Sequence, residues 1–258
     1  MTLANRSVLI TGATSGVGRA LAIAWAERGA HVLVHGRDAR RLTEVSEAVG
    51  GTPLSVDLAA PDGPSRLANA AQEATPPVSA LINNAAIQLN YFFTEEPSAE
   101  AAQAIDREVT VDLTVPLQTT ALLLPTLREA ANQSGAPSLI VNVTSGLALA
   151  PKKTAAVYCA AKAGLRTFSK ALRYQMKDAM QADTPTIRVV EVMLPLVDTP
   201  MTAGRDTRVG KMDPESVAEE ILSGLSRGSE ELYVGKASAF RLLHRWAPRW
   251  AERLLRNG

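Results

Sequence analysis

Short runs of β-branched and aliphatic residues recur along the chain at 7–11 (SVLIT), 31–36 (HVLVHG), 52–56 (TPLSV), 80–84 (ALINN), 138–145 (SLIVNVTS), 186–194 (TIRVVEVML) and 231–235 (ELYVG). Most are continuously apolar rather than alternating, the pattern of strands covered on both faces. Between them lie alanine- and leucine-rich segments with helical spacing, such as GRALAIAWAERG at 18–29 and the long stretch 101–131. Alternating strand and helix predicts a parallel sheet whose right-handed crossovers place helices on each side. The expected fold class is α/β, a single domain over 1–258 built on a doubly wound parallel sheet of seven strands. The proline- and glycine-bearing stretches 59–65, 75–77 and 132–137 are too short for interdomain linkers. Pro116 and Pro125 fall inside 101–131 and predict a kink there.

Directly after the first run comes TGATSGVGRA, with Gly12, Gly16 and Gly18 in the turn and at the mouth of the next helix. Such glycines let the backbone turn tightly and approach a pyrophosphate, while the helix N-terminus offers N–H donors and positive dipole. A structural turn would use the same letters. Its place after the opening strand of a β-α-β unit favours a dinucleotide, which makes the sheet Rossmann-type.

Selectivity for the adenosine ribose belongs at the end of the second strand, where an acid suits the 2′-hydroxyl of NAD and an arginine the 2′-phosphate of NADP. That strand ends HVLVHGRDARRL. Gly36 leaves room, and Arg37 offers a planar cationic fork. Asp38 stands near the spacing of an NAD-type acid, yet it also precedes a helical run, where aspartate is a favoured N-cap. NADP is the favoured cofactor, with NAD the alternative.

Tyr158 and Lys162, in VYCAAK, lie one helical turn apart on one face. A phenol of reference pKa about 10 exchanges protons poorly at neutral pH, and a neighbouring ammonium lowers that value. Tyrosine then serves as general acid or base, which hydride transfer to a carbonyl requires.

Four motifs now stand in order: Thr11-Gly12-x-x-x-Gly16-x-Gly18, Asn83-Asn84-Ala85, Ser145 thirteen residues before the tyrosine, and Tyr158-x-x-x-Lys162. Together they resemble the short-chain dehydrogenase/reductase family over nearly the whole chain. The resemblance implies Tyr158 as proton donor, Lys162 lowering its pKa and binding the nicotinamide ribose, and Ser145 orienting the substrate oxygen. It also implies a cofactor groove lined by Thr11, Gly12, Thr14, Ser15, Gly16, Val17 and Gly18, with Asp57 and Leu58 near the adenine. Asn84, Ala85, Val197 and Thr199 complete the implied groove. Asp57 in VDLAAPDG also reads as a turn or helix-cap aspartate.

The chain departs from the family pattern at three places. Asp112, in TVDLTVP, stands where the family has an asparagine linked to a proton relay. If that relay uses the main-chain carbonyl, aspartate is tolerated; buried, it needs a partner such as Lys162 or its pKa rises. Ala86 replaces the glycine of NNAG, and LPLVDTP puts Pro195 where main chain would meet nicotinamide.

By the same resemblance the polar stretch 200–212 is a substrate lid. Tyr91, Phe92 and Phe93 line an apolar substrate pocket or simply pack a loop. The arginine-rich tail 239–258, with Trp246 and Trp250 at helical spacing, covers an oligomer interface or a pocket; an anionic membrane surface is the less favoured reading. Cys159 reads as a small buried residue before it reads as an oxidation sensor.

Charge then narrows the partners. Lysine plus arginine total 27 against 26 aspartate plus glutamate, so nothing steers the chain towards nucleic acid. Three histidines lack zinc-ligand spacing, one cysteine excludes an internal disulfide, and no run suits a leader or a membrane span. No metal and a cytoplasmic setting are expected, and the resemblance implies a homodimer or homotetramer. The expectation is an oxidoreductase moving hydride between NADP(H) and a carbonyl/alcohol pair. The alternative, suggested by Asp112, Pro195 and the tail, is a dinucleotide-binding regulatory or interaction protein with weak or no turnover.

Overall fold

The computed structural model describes residues 6–94, 98–179, 187–205 and 210–256. Seven strands form one parallel sheet: β1 (Ser7–Ile10), β2 (His31–Gly36), β3 (Thr52–Ser55), β4 (Val78–Asn83), β5 (Ser138–Ser145), β6 (Ile187–Leu194) and β7 (Glu231–Tyr233). Their order is β3-β2-β1-β4-β5-β6-β7, so the direction of winding reverses between β1 and β4. Ligands of doubly wound sheets lie outside the strand C-termini at such a switch. Thr186, expected to open β6, lies outside the described residues.

Continuous apolar character follows from two cores. Val8, Ile10, Val32 and Val34 face the layer of α1 (Gly16–Ala26), α2 (Ala39–Val49) and α7 (Pro214–Ser226). Leu9, Leu33 and Leu81 face α3 (Gly63–Gln72), α5 (Val115–Ser134) and α6 (Ala156–Asp178). Successive side chains point to opposite faces of a strand, so both must be apolar. Pro53 is confined to the edge strand β3, where a lost N–H is tolerated.

A polar chain crosses the second core. The Asn83 amide donates to Asn142 Oδ1 at 2.8 Å, Asn142 donates to Ser169 Oγ at 2.9 Å, and Thr119 Oγ1 donates to Asn83 Oδ1 at 3.1 Å. These fully buried bonds fix α5 and α6 to the sheet in one register.

The stretch 101–131 is not one kinked helix. It is α4 (Ala99–Val109), a π-helical turn (Thr110–Thr114) and α5. Pro116 stands in the first turn of α5, just after the π turn, and Pro125 lies inside α5. The irregularity therefore falls at the π turn, whose extra residue rotates Asp112 into the protein.

The tail forms α8 (Ala237–Trp246) and α9 (Pro248–Leu255), which pack on each other. Phe240 and Leu255 approach Gly146, just after Ser145, and Lys153 donates its N–H to Arg256 O at 3.1 Å. The tail thus lies against the turn that follows β5, while Trp246 and Trp250 face outward, 79% and 66% exposed. Among the described residues no helix is long and apolar enough to cross a membrane.

Candidate active site

The glycine turn sits at the switch point. Gly12 has φ +66°, and a Cβ there would lie 2.9 Å from Ala85 Cα. At Gly18 a Cβ would lie 2.2 Å from Gly12 O and 2.5 Å from Asn84 Nδ2. These are close backbone approaches only glycine permits. Thr11 Oγ1 accepts the N–H groups of Asn84 and Ala85, both at 3.0 Å, while Asn84 Nδ2 donates to Thr11 O at 2.9 Å. The two edges of the switch are thereby stitched together. Ser15, in extended conformation, does not cap α1 with its side chain, so the first N–H groups of Gly16 and Val17 stay available to an anion. The cradle fits a pyrophosphate.

His35 is a residue that sequence reading missed. Its Nδ1 accepts the Gly12 N–H at 3.1 Å, and its Nε2 lies 3.0 Å from Val56 O. Its main-chain carbonyl also accepts the Ala13 N–H at 2.8 Å. Burial pushes its pKa down to about 4, so the ring is neutral with its proton on Nε2. Sequence gave no signal beyond a histidine in an apolar strand.

At the ribose end Asp38 is the N-cap of α2, accepting the Arg41 N–H at 3.1 Å. On the same rim Arg37 Nη1 lies 3.8 Å from Asp57 Oδ1. Asp57 also accepts the Ala59 N–H at 3.1 Å, as a turn aspartate does, and pairs with Arg107 at 3.5 Å. Arg107, on α4, was not singled out in the sequence. Thr14 Cγ2 occupies the space beside Gly36, 2.2 Å from where a Cβ would stand. Leu58 is buried in the core beneath.

Tyr158 and Lys162 share the inner face of α6, and both are buried. Lys162 Nζ lies 5.6 Å from the Tyr158 ring centre, donates to Val143 O at 3.3 Å and stands 3.6 Å from Asp112 Oδ2. Asp112 is fully buried, and its Oδ1 accepts the Ile87 N–H at 2.8 Å. The anticipated partner is therefore present. At 3.6 Å the contact is an ion pair rather than a hydrogen bond, which leaves Oδ2 unbonded. Burial outweighs the attraction of Lys162, and the Asp112 pKa rises to about 6.

The expected lowering of the Tyr158 pKa does not occur in this arrangement. Burial first, then the Asp112 carboxylate, push the phenol above its ordinary value, against a hydrogen bond from Ser145. Lys162 itself contacts Asp112 and the Val143 carbonyl. Ser145 Oγ also accepts the Leu147 N–H at 3.2 Å, which holds it at the end of β5. Cys159 is buried, with Sγ 3.4 Å from the Lys152 N–H.

Glu108, one turn before Asp112 and fully buried, was also missed. It accepts the Leu89 N–H at 3.1 Å and the Tyr91 hydroxyl. Tyr91 is thus a polar anchor of the loop after β4, whereas Phe92 and Phe93 are 45% and 69% exposed. After β6, Thr202 Oγ1 donates to Val197 O at 2.6 Å, and the Thr199 Cγ2 lies 2.8 Å from where a Gly16 Cβ would stand. The loop after β6 therefore touches the glycine turn. Of the lid expected over 200–212, residues 206–209 lie outside the described residues, as do 257–258 of the tail.

Comparison with known proteins agrees with this geometry. A family model described as short chain dehydrogenase matches residues 6–209. The uncharacterized oxidoreductase DltE of Bacillus subtilis is 31% identical over 237 residues, covering 90% of this chain and 89% of its own. D-erythrulose reductase of Gallus gallus is 33% identical over 218 residues, covering 84% and 79%. A Burkholderia cenocepacia short chain dehydrogenase solved in complex with NADP superposes with a TM-score of 0.81 at 25% identity, covering 99% of both chains. With the glycine turn, the sheet order and these matches together, the chain belongs to the short-chain dehydrogenase family of oxidoreductases.

Proposed function

We propose that the protein reduces a carbonyl, or oxidises the corresponding alcohol, with NADP(H), using Tyr158 as proton donor. The observation that carries this reading is the pairing of buried Tyr158 and Lys162 with Ser145 at the C-terminal edge of β5, beside the glycine turn. NADPH, when bound, would supply the hydride.

Gly16 and Val17 would hold the pyrophosphate through their N–H groups, and Arg37 the 2′-phosphate. Val197 and Thr199 would meet the carboxamide end. Ser145 would donate a hydrogen bond to the substrate oxygen and Tyr158 would give it a proton. A phenol held above its ordinary pKa stays protonated until a stronger base, the developing alkoxide, faces it. Lys162 would hold the nicotinamide ribose and stabilise the phenolate that forms, with Asp112 and the Val143 carbonyl steadying its ammonium. Support for NADP comes from Arg37 and the Asp38 cap, and from relatives solved with NADP or NADPH. A neighbour solved with NAD keeps NAD as the alternative.

The same reading gives a cytoplasmic homodimer or homotetramer, which light scattering of the purified protein checks. The competing reading, a dinucleotide-binding protein with weak turnover, draws on the engagement of Lys162 by Asp112. Fluorescence titration with NADPH and NADH, followed by carbonyl reduction by wild type and Tyr158→Phe, separates them. Turnover that falls by about a thousandfold in the variant supports the enzyme. Unchanged turnover removes Tyr158 from the mechanism, and cofactor binding without any turnover favours the regulatory reading.

A further inference from the structure

The mouth of the site gathers cations and hydrogen-bond donors that hydride transfer does not need. Arg205 follows the turn Pro200–Thr202, with its main-chain N–H on Thr202 O at 3.2 Å and its Nη2 donating to Gln88 Oε1 at 2.9 Å. Lys152 is anchored by its N–H to the sulfur of Cys159, the residue after Tyr158. The segments that carry Gln88 and Lys152 are joined where the Tyr91 N–H donates to Thr154 O at 3.1 Å.

Hydrogen bonds bring both segments to the site: Gln88, which holds Arg205, follows Ile87, whose N–H is on Asp112 beside Lys162, and the Lys152 N–H is on Cys159, next to Tyr158. The Lys152 pKa is lowered by burial and then by Arg205; in Tyr158, which burial raises, Arg205 pulls the other way. Both cations are half-buried, and among the described residues no carboxylate pairs with either. The acids nearby are already engaged, Glu108 by Leu89 and Tyr91 and Asp112 by Ile87 and Lys162. Gln88 Nε2 and Thr154 Oγ1 are buried and have no hydrogen-bond partner among the described residues. Half-buried cations beside buried, unbonded donors are matched by an anion that supplies the missing acceptors.

We propose that the substrate carries, besides its carbonyl, an anionic group that Arg205 and Lys152 bind beside Tyr158. A carboxylate and a phosphate share the needed chemistry, since the planar guanidinium fork suits both. The Gln88 amide and the Thr154 hydroxyl complete the cradle. This inference rests on the oxidoreductase reading and names the substrate class for the same site.

The test uses matched ketones with NADPH: 4-oxopentanoate against its methyl ester, and hydroxyacetone phosphate against hydroxyacetone. In at least one pair kcat/KM for the anion should exceed that for its neutral partner by about tenfold or more. That ratio should collapse in Arg205→Gln and in Lys152→Gln, with melting temperature as the control for folding. The pair that shows the preference tells carboxylate from phosphate. Equal reduction within both pairs, or a preference that both substitutions leave intact, overturns the subsite.

Calorimetric titration with 4-oxopentanoate and with inorganic phosphate, with and without NADP+, provides an arm independent of turnover. Binding that is lost in Arg205→Gln supports the subsite, and no binding of either anion to wild type overturns it. Failure to bind NADPH would sink the oxidoreductase reading instead, while the anion titration without cofactor still decides the subsite.

Discussion

Gly12 donates its main-chain N–H to Nδ1 of His35 at 3.1 Å, so the nucleotide turn hangs from a side chain on the neighbouring strand. The bond exists only while the ring is neutral, because a protonated Nδ1 has no lone pair to offer.

The first prediction concerns the pH dependence that this bond creates. The His35 pKa lies near 4 in the folded protein against an ordinary 6.5. Its contribution to stability is therefore fully present above about 6.5 and is lost as the pH falls towards 4, by on the order of 3 kcal/mol. Urea unfolding of wild type and His35→Gln at pH 8 and pH 5 checks it. The variant should be less stable at pH 8, and the gap should shrink or vanish at pH 5. A gap that is constant with pH would show that His35 does not titrate in this way.

Gly18→Ala should abolish dinucleotide binding. The new Cβ would stand 2.2 Å from Gly12 O, a contact with backbone that no side-chain rotation relieves. The turn must open, at a cost of about 1–3 kcal/mol. NADPH fluorescence titration reads the loss, and a melting curve shows a smaller effect on the fold. Wild-type affinity in this variant would mean that the turn does not cradle the pyrophosphate.

How much of this the sequence disclosed depends on how local each cause is. The strands were legible because burial on both faces leaves a continuous apolar run, and β2 and β5 fall where the pattern puts them. Asp38 as a cap was also legible, since a cap is a contact between residues three apart. The π turn was not. It depends on what Asp112 meets across the protein, the Ile87 N–H and Lys162, and neither is near in sequence. The same distance hid His35, Glu108 and Arg107, whose partners are 23, 17 and 50 residues away. The direction of the Tyr158 shift was missed because burial and then the Asp112 carboxylate set it, and helical spacing discloses neither.

Arg37→Ala should erase cofactor preference rather than cofactor binding. Arg37 is half-exposed and Asp57, its acidic partner among the described residues, lies at 3.8 Å, so it is held loosely and can turn to a phosphate. The wild type should favour NADPH over NADH by roughly tenfold or more at low salt, and the variant should bind both alike. Competitive titration at two salt concentrations measures this. A wild-type preference for NADH would instead transfer the ribose contact to Asp38.

Asp112 ties stability and activity in opposite senses. Its pKa is raised from 3.8 to about 6, chiefly by burial, so its contribution to stability is present below the ordinary value and is lost as the pH rises through 6. Within the same interval the charge that costs stability becomes the partner of the buried Lys162 ammonium. The ionised form should therefore be the active one: kcat/KM should fall below an inflection near pH 6 in the wild type. Asp112→Asn cannot titrate, so this limb should be absent, and turnover at pH 7.5 should drop by about tenfold as Lys162 loses the carboxylate that orients it. Glu108 is carboxylate too and faces Asp112 from one turn away, so Glu108→Gln should move the inflection to lower pH by removing a like charge. An inflection that survives in Asp112→Asn would place the titrating group elsewhere, and a flat profile from pH 5 to 8 in the wild type would show that Lys162 needs no carboxylate beside it.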